Sequence, residues 1–126
     1  MKYTLMYTTL FALFLAAICP LPVSAVSGTE LMESFSLRVT VIAEGVEHQW
    51  EYDNPNHYEY EKGNYVIKGE EAQTHVEEIV DLLQINEETT EAEYADRLSA
   101  KFPTMERLEI RWMNRDSERF TWLWTK

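Results

Sequence analysis

The chain has 126 residues and a formal net charge of −11, with only 11 Lys and Arg residues against 22 Asp and Glu residues. Such an acidic protein repels phosphate backbones and anionic lipid headgroups, so neither nucleic acid nor a membrane surface is expected as a partner. The length fits one domain, and because Cys19 is the only cysteine, no disulfide within the chain can stabilise it.

Residues 1–25 have the pattern of a cleavable signal peptide. Lys2 precedes an apolar run over residues 5–19, and Val23-Ser24-Ala25 fits the small-residue site at which signal peptidase cuts. We expect cleavage after Ala25 and a secreted or extracytoplasmic chain in the cell envelope. Loss of Lys2 then takes the net charge from −11 to −12.

Two alternative interpretations of this segment are disfavoured. A helix over residues 5–19 spans roughly 22 Å, less than the roughly 30 Å of a hydrocarbon core, which argues against an uncleaved membrane anchor. A lipid-modified Cys19 is disfavoured because the bulky Ile18 precedes it. Small exported domains without disulfides fit bacteria better than animal cells, so we expect a protein of the bacterial envelope or medium.

Residues 26–34 show little periodicity and are predicted to be a flexible lead-in to a single domain over residues 35–126. Apolar residues alternate from Phe35 to Ala43, which predicts a strand with one buried face that ends near Gly45.

A second strand is predicted where His48, Trp50 and Tyr52 alternate with polar residues, up to a turn over residues 53–56. The alternation resumes over residues 58–61 and 65–68. These segments are either a short hairpin or a continuation of the second strand followed by a third.

Two helices follow Gly69. The first has an apolar stripe formed by Ala72, Val76, Ile79, Val80 and Leu83. Thr90 and Glu93 form a capping-box pattern that starts the second. Its predicted apolar face consists of Tyr94, Ala95, Leu98 and Phe102, and Pro103 ends it.

The C-terminal segment predicts a hairpin with one apolar face. Its expected register puts Trp112 opposite Phe120, Ile110 opposite Trp122 and Leu108 opposite Trp124, which requires an odd-length loop or a bulge around residues 115–117. The whole chain therefore predicts an α+β fold in which an antiparallel sheet of about four to five strands carries two helices on one face, in the order β-β-(β)-α-α-β-β. Pairing of the first strand with a C-terminal strand would close a single sheet.

One candidate ligand site is an aromatic row with neighbouring acids. Rings stack on sugar faces and carboxylates accept hydrogen bonds from sugar hydroxyls, so these residues suggest glycan binding. The candidates are Trp50, Tyr58, Tyr60, Glu51 and Asp53. The alternative is that the rings form the core, which is the commoner role of aromatic residues spaced by two on a strand.

A metal site is not predicted, although His48, Asp53 and His57 are candidate ligands. Their spacing matches no metal-binding motif, and no cofactor is expected. The chain also lacks the usual phosphate-loop, zinc-protease and nucleophile-elbow patterns, which favours a non-enzymatic protein. A small metal-dependent or acid/base hydrolase is the alternative.

The charge is distributed unevenly along the chain. Residues 26–96 contain three cations and eighteen anions, whereas residues 97–126 contain seven cations and four anions. Arg107, Arg111 and Arg119 share the polar face of the predicted C-terminal hairpin, where they either pair with nearby acids or bind a partner. We therefore expect a binding module for a protein or polymer partner in the envelope, which is monomeric or a weak dimer and does not bind the membrane after signal cleavage.

Overall fold

Residues 31–126 are described by a computed structural model of the chain, in which two helices cover one face of a six-stranded antiparallel sheet. The strands are β1 (Ser36–Ala43), β2 (Val46–Asp53), β3 (His57–Lys62), β4 (Tyr65–Lys68), β5 (Met105–Met113) and β6 (Arg119–Thr125). The helices are α1 (Glu70–Leu83) and α2 (Glu91–Leu98). The predicted α+β class and two-helix arrangement are confirmed. The strand count is six, because a tight turn at Gly63 makes β3 and β4 a separate hairpin.

The sheet order is β4-β3-β2-β1-β5-β6, so β1 pairs with both β2 and β5. This pairing joins the N-terminal and C-terminal strands into the single sheet expected from the sequence. The C-terminal register is also confirmed, since Trp112 lies opposite Phe120 and Ile110 lies opposite Trp122. The connecting loop, residues 114–118, has the odd length that this register requires.

Both helices pack their predicted apolar residues on the sheet. All five stripe residues of α1 are buried, as are Tyr94, Ala95 and Leu98 of α2. The capping box at Thr90 and Glu93 is present. Phe102 differs from the prediction because α2 ends at Leu98, and the Phe102 ring packs against the core from the segment that follows the helix.

The start of the described chain is packed more closely than its sequence suggests. A 3₁₀ turn over Leu31–Glu33 places Leu31 in the core at 0% exposure. Ser34 is also buried, and its hydroxyl accepts a 2.9 Å hydrogen bond from Trp112 Nε1. Residues 31–34 of the predicted flexible lead-in therefore belong to the packed domain, whereas Phe35, expected on the buried face of the first strand, is 45% exposed.

The predicted signal peptide, residues 1–25, and residues 26–30 lie outside the described residues. No helix between residues 31 and 126 is both long enough and apolar enough to cross a membrane.

Candidate functional site

Among residues 31–126, no helix or strand packs on the sheet face opposite α1 and α2, and we call it the open face. Strand alternation puts Ser36, Arg38, Thr40 and Ile42 of β1 on this face, because their neighbours Leu37, Val39, Val41 and Ala43 are buried under the helices. The same alternation in the paired strands divides the open face into a basic part on β1, β5 and β6 and an acidic part on β2 and β3.

Four arginines lie together on the basic part. We call the surface formed by Arg38, Arg107, Arg111 and Arg119 the arginine face. Arg38 and Arg111 are direct cross-strand partners in the β1–β5 ladder. Arg119 lies opposite Met113, which is two residues beyond Arg111 on the same side of β5. The predicted grouping of Arg107, Arg111 and Arg119 is thus present, and Arg38 joins it.

Two glutamates offset the charge of the arginine face. Glu51 Oε1 lies 3.0 Å from Arg38 Nε. Glu109 lies between two arginines, with Oε2 at 2.8 Å from Arg107 Nη2 and Oε1 at 2.5 Å from Arg111 Nε. Arg119 forms no ion pair with any residue between 31 and 126.

The guanidinium groups remain accessible despite these pairs. The side chains of Arg38, Arg107 and Arg111 are 49%, 45% and 62% exposed. Their glutamate partners are more enclosed, with the side chains of Glu51 and Glu109 14% and 17% exposed. A guanidinium group has five N–H donors, so the exposed donors of these arginines remain available to an external anion while the pairs persist.

A groove of about 330 Å³ runs along the arginine face. Its polar lining includes Arg38, Arg111, Arg119, Asp53 and Thr121. A second groove of about 280 Å³ shares Arg38 and Arg111 and extends towards Arg107. Glu47 and Glu109 also line the second groove. Because a guanidinium group donates two parallel hydrogen bonds to a carboxylate or phosphate, the arginines that line the two grooves suit a ligand with several anionic groups.

The acidic part of the open face has a different chemistry. The carboxyl groups of Glu59 and Glu61 share a hydrogen bond, which lowers the pKa of Glu59 and raises that of Glu61. Lys68 Nζ also lies 3.2 Å from Glu59 Oε2, and His57 Nε2 lies 3.9 Å from the same oxygen. The Lys68–Glu59 pair links β4 to β3, and the acidic part meets the arginine face at the Glu51–Arg38 pair.

A second basic patch lies at one end of the sheet on the helix side. His48, Lys62 and Lys101 line a groove of about 330 Å³ together with Phe102. His48 Nδ1 is buried without a hydrogen-bond partner among residues 31–126. Burial, reinforced by Lys62 and Lys101, lowers the pKa of His48 below its usual value.

The residues predicted to bind a glycan are divided between the two faces of the sheet. Trp50 and Tyr58 are only 2% and 5% exposed, and Tyr60 stacks on His75 with ring centroids 4.4 Å apart. These rings face the helices, whereas Glu51 and Asp53 lie on the open face. The aromatic row therefore packs in or against the core, which is the alternative that the sequence left open.

The candidate metal ligands are also on different faces. Asp53 and His57 are direct cross-strand partners on the open face, and His48 lies on the helix side. Within the described part of the chain, no group of three or more His, Cys, Asp or Glu residues is placed to hold a metal ion.

Sequence reasoning missed Arg38, Lys62 and Lys101. The signal for Arg38 was its position between Leu37 and Val39, which fixes it on the face opposite the core, but only the β1–β5 pairing shows that Arg111 lies beside it. Comparison with protein-family models, curated proteins and solved structures found no match to this chain.

Proposed function

We propose that this chain is an exported, non-enzymatic binding module of the bacterial envelope or medium, and that its arginine face binds an acidic protein or an anionic polymer. The observation that carries the proposal is the gathering of Arg38, Arg107, Arg111 and Arg119 on the open face of the sheet in a strongly acidic chain. Export is proposed from the signal-peptide pattern over residues 1–25.

The choice of arginine supports an anionic ligand. Arginine remains charged and offers a planar set of donors, which binds carboxylate or phosphate groups better than a lysine ammonium does when several anions must be engaged. Arg119 is free of ion pairs within residues 31–126, and Arg38 and Arg111 keep exposed N–H donors beside their ion pairs.

The acidic part of the open face does not prevent such binding. On β2, Glu51 is already paired with Arg38 and Asp53 lines the larger groove, whereas β3 lies two strands from β1, a separation of roughly 10 Å. The screening length in about 0.1 M salt is also about 10 Å, so carboxylates on β3 are substantially screened while direct contacts are not. The same carboxylates repel ligands that bind across the whole sheet, which orients an anionic partner towards β5 and β6.

The test measures binding of poly-L-glutamate to residues 26–126 in about 0.1 M salt, where distant charges are screened. The triple variant Arg107→Ser, Arg111→Ser, Arg119→Ser is expected to bind at least about tenfold more weakly, from roughly 0.5 kcal/mol per exposed contact. The matched control is Lys62→Ser, Lys68→Ser, Lys101→Ser, which makes the same change in net charge away from the arginine face. Equal loss in both triple variants would contradict the proposal, since net charge alone would then govern binding.

A further inference from the structure

Within residues 31–126, no strand pairs with the outer edge of β6. The two edge strands of the sheet are β4 and β6. β4 has four residues and ends in Lys68, whereas β6 has seven, with no charged residue, Pro or Gly from Phe120 to Thr125. Natural edge strands are normally blunted by shortness, charge, proline or a bulge. β4 is short and ends in a charge, whereas the single charge of β6, Arg119, stands at its first residue and leaves six uncharged residues, so β6 is the edge at which another strand can add.

The hydrogen bonds at both ends of the hairpin fix which backbone groups of β6 point outward. The amide of Asn114 donates to the Glu118 carbonyl at 3.1 Å, and the amide of Lys126 donates to the Glu106 carbonyl at 3.0 Å. In an antiparallel ladder, hydrogen-bonded pairs alternate with non-hydrogen-bonded pairs, so the even-numbered residues of β6 bond to β5. The outward N–H and C=O groups therefore belong to Arg119, Thr121, Leu123 and Thr125.

The sequence of β6 is nearly symmetric about Trp122. Phe120 and Trp124 lie two residues on either side of it, and Thr121 and Leu123 lie one residue on either side. We propose that β6 pairs antiparallel with β6 of a second copy of this chain, centred on Trp122. In that register all four outward-facing residues of each strand meet outward-facing residues of the other.

The proposed register brings compatible side chains together. Phe120 faces the second copy's Trp124, Thr121 faces its Leu123, and Arg119 faces its Thr125, so no like charges are opposed. The two Trp122 residues form a non-hydrogen-bonded pair, in which side chains approach most closely. A two-fold symmetric contact of this kind requires a self-complementary surface, and the near-symmetric β6 provides one.

Apolar surface along β6 is available for burial. Leu123 is 51% exposed, and Phe120, Trp122 and Trp124 are only partly buried. Trp124 also lines a groove of about 400 Å³ between α2 and β6. The rings are held in place, because Trp122 packs edge-on against Tyr94 at 5.2 Å and Phe120 stacks on Trp112 at 5.3 Å. Because these rings are already held in place, strand pairing would bury this apolar surface without a further cost of ordering the side chains.

Repulsion between the acidic strands of two copies does not oppose pairing at this edge. The acidic strands β2 and β3 lie three and four positions from β6 in the sheet order, roughly 14 to 19 Å away. Repulsion across that distance is largely screened at physiological salt, where the screening length is about 8 Å. The dimer would place two arginine faces side by side on one continuous open face. The dimer itself does not rest on what the arginine face binds.

Sedimentation velocity of residues 26–126 tests the dimer without any ligand. We expect a monomer–dimer equilibrium between about 1 μM and 1 mM, the range in which small interfaces associate. Leu123→Lys and Leu123→Pro are expected to raise the dissociation constant by at least about tenfold, because a charge or a missing outward N–H blocks strand addition. Val66→Lys and Val66→Pro are the matched controls, since Val66 of β4 is 48% exposed on the other edge.

A wild-type chain that stays monomeric over this concentration range would overturn the proposal. Binding of an extended acidic peptide by a chain that stays monomeric would overturn it too, because the β6 edge would then bind a peptide and not a second copy. Loss of the dimer in the Val66 variants but not in the Leu123 variants would also overturn it.

The register is tested by disulfide trapping, since the sequence has no cysteine after Cys19. A mixture of Thr121→Cys and Leu123→Cys chains should cross-link, because hydrogen-bonded pairs have Cα atoms about 5.5 Å apart. Each variant alone should not, and equal cross-linking of either alone would refute the register.

Discussion

Leu31→Ala tests whether the segment that precedes β1 is part of the core. Leu31 has 0% exposure although its sequence context resembles a flexible lead-in. Truncation of a fully buried leucine removes its transfer free energy and leaves a cavity, with a typical cost of about 2 to 5 kcal/mol. Small domains have a total stability of about 5 to 15 kcal/mol, so this variant should lose a large share of it. A loss of about 3 kcal/mol corresponds to a fall in Tm of roughly 12 to 24 °C.

Urea unfolding followed by tryptophan fluorescence measures the effect, with the midpoint falling and the slope unchanged. Leu82→Ala is the control, because Leu82 is 39% exposed on α1 and its truncation should change the free energy of unfolding by less than about 0.5 kcal/mol. If Leu31→Ala proves no more destabilising than Leu82→Ala, Leu31 does not pack as described, and the domain begins at β1.

Three further predictions concern the loop between the helices, pH and the arginine face. Tyr94→Phe should destabilise the protein by roughly 1 to 3 kcal/mol in urea unfolding. The buried Tyr94 hydroxyl donates to the backbone carbonyl of Asn86 at 2.8 Å and accepts from the backbone N–H of Asn86 at 3.0 Å, and the variant loses both hydrogen bonds. An unchanged urea midpoint would contradict this role. The folded-state pKa of His48 lies below its usual 6.5, so the unfolded chain binds a proton on His48 at a higher pH than the folded chain does. The free energy of unfolding should therefore be unaffected by His48 above about pH 6.5 and should fall as the pH is lowered further. Urea midpoints of wild type and His48→Gln at about pH 7.5 and 5.5 should show a smaller loss in the variant, and equal losses would exclude His48 as the cause. Glu109→Gln should strengthen poly-L-glutamate binding, because it frees Arg107 and Arg111 from their shared carboxylate, and weaker binding in a titration would argue against the arginine face as the site.

Local patterns were sufficient to predict much of the fold. The alternation over residues 108–112 and 120–124 predicted the observed register of the C-terminal hairpin, because pairing Trp112 with Phe120 keeps both apolar sets on one face with a short, odd-length loop. The apolar stripe of α1 and the capping box of α2 were also predicted, because both patterns depend on residues that are close in sequence. The separate β3–β4 hairpin was left open because the turn at Gly63 joins two short segments that also fit other strand assignments.

The candidate site depended on contacts between distant parts of the chain. Alternation shows that Trp50 and Tyr52 share a face, but not which face the helices cover, so core and ligand row remained alternatives for Trp50. Arg38 and Arg111 are far apart in sequence and became neighbours only through the β1–β5 pairing. Leu31 is likewise buried by tertiary contacts that a nonperiodic segment does not reveal.

The central claim, that the arginine face is the binding surface, is tested most directly by mapping bound poly-L-glutamate with backbone amide chemical shifts. We expect dose-dependent shifts on β1, β5 and β6, strongest near Arg38, Arg111 and Arg119, where the larger groove lies. Shifts confined to the patch around His48, Lys62 and Lys101 would contradict the claim and assign anion binding to the other end of the sheet.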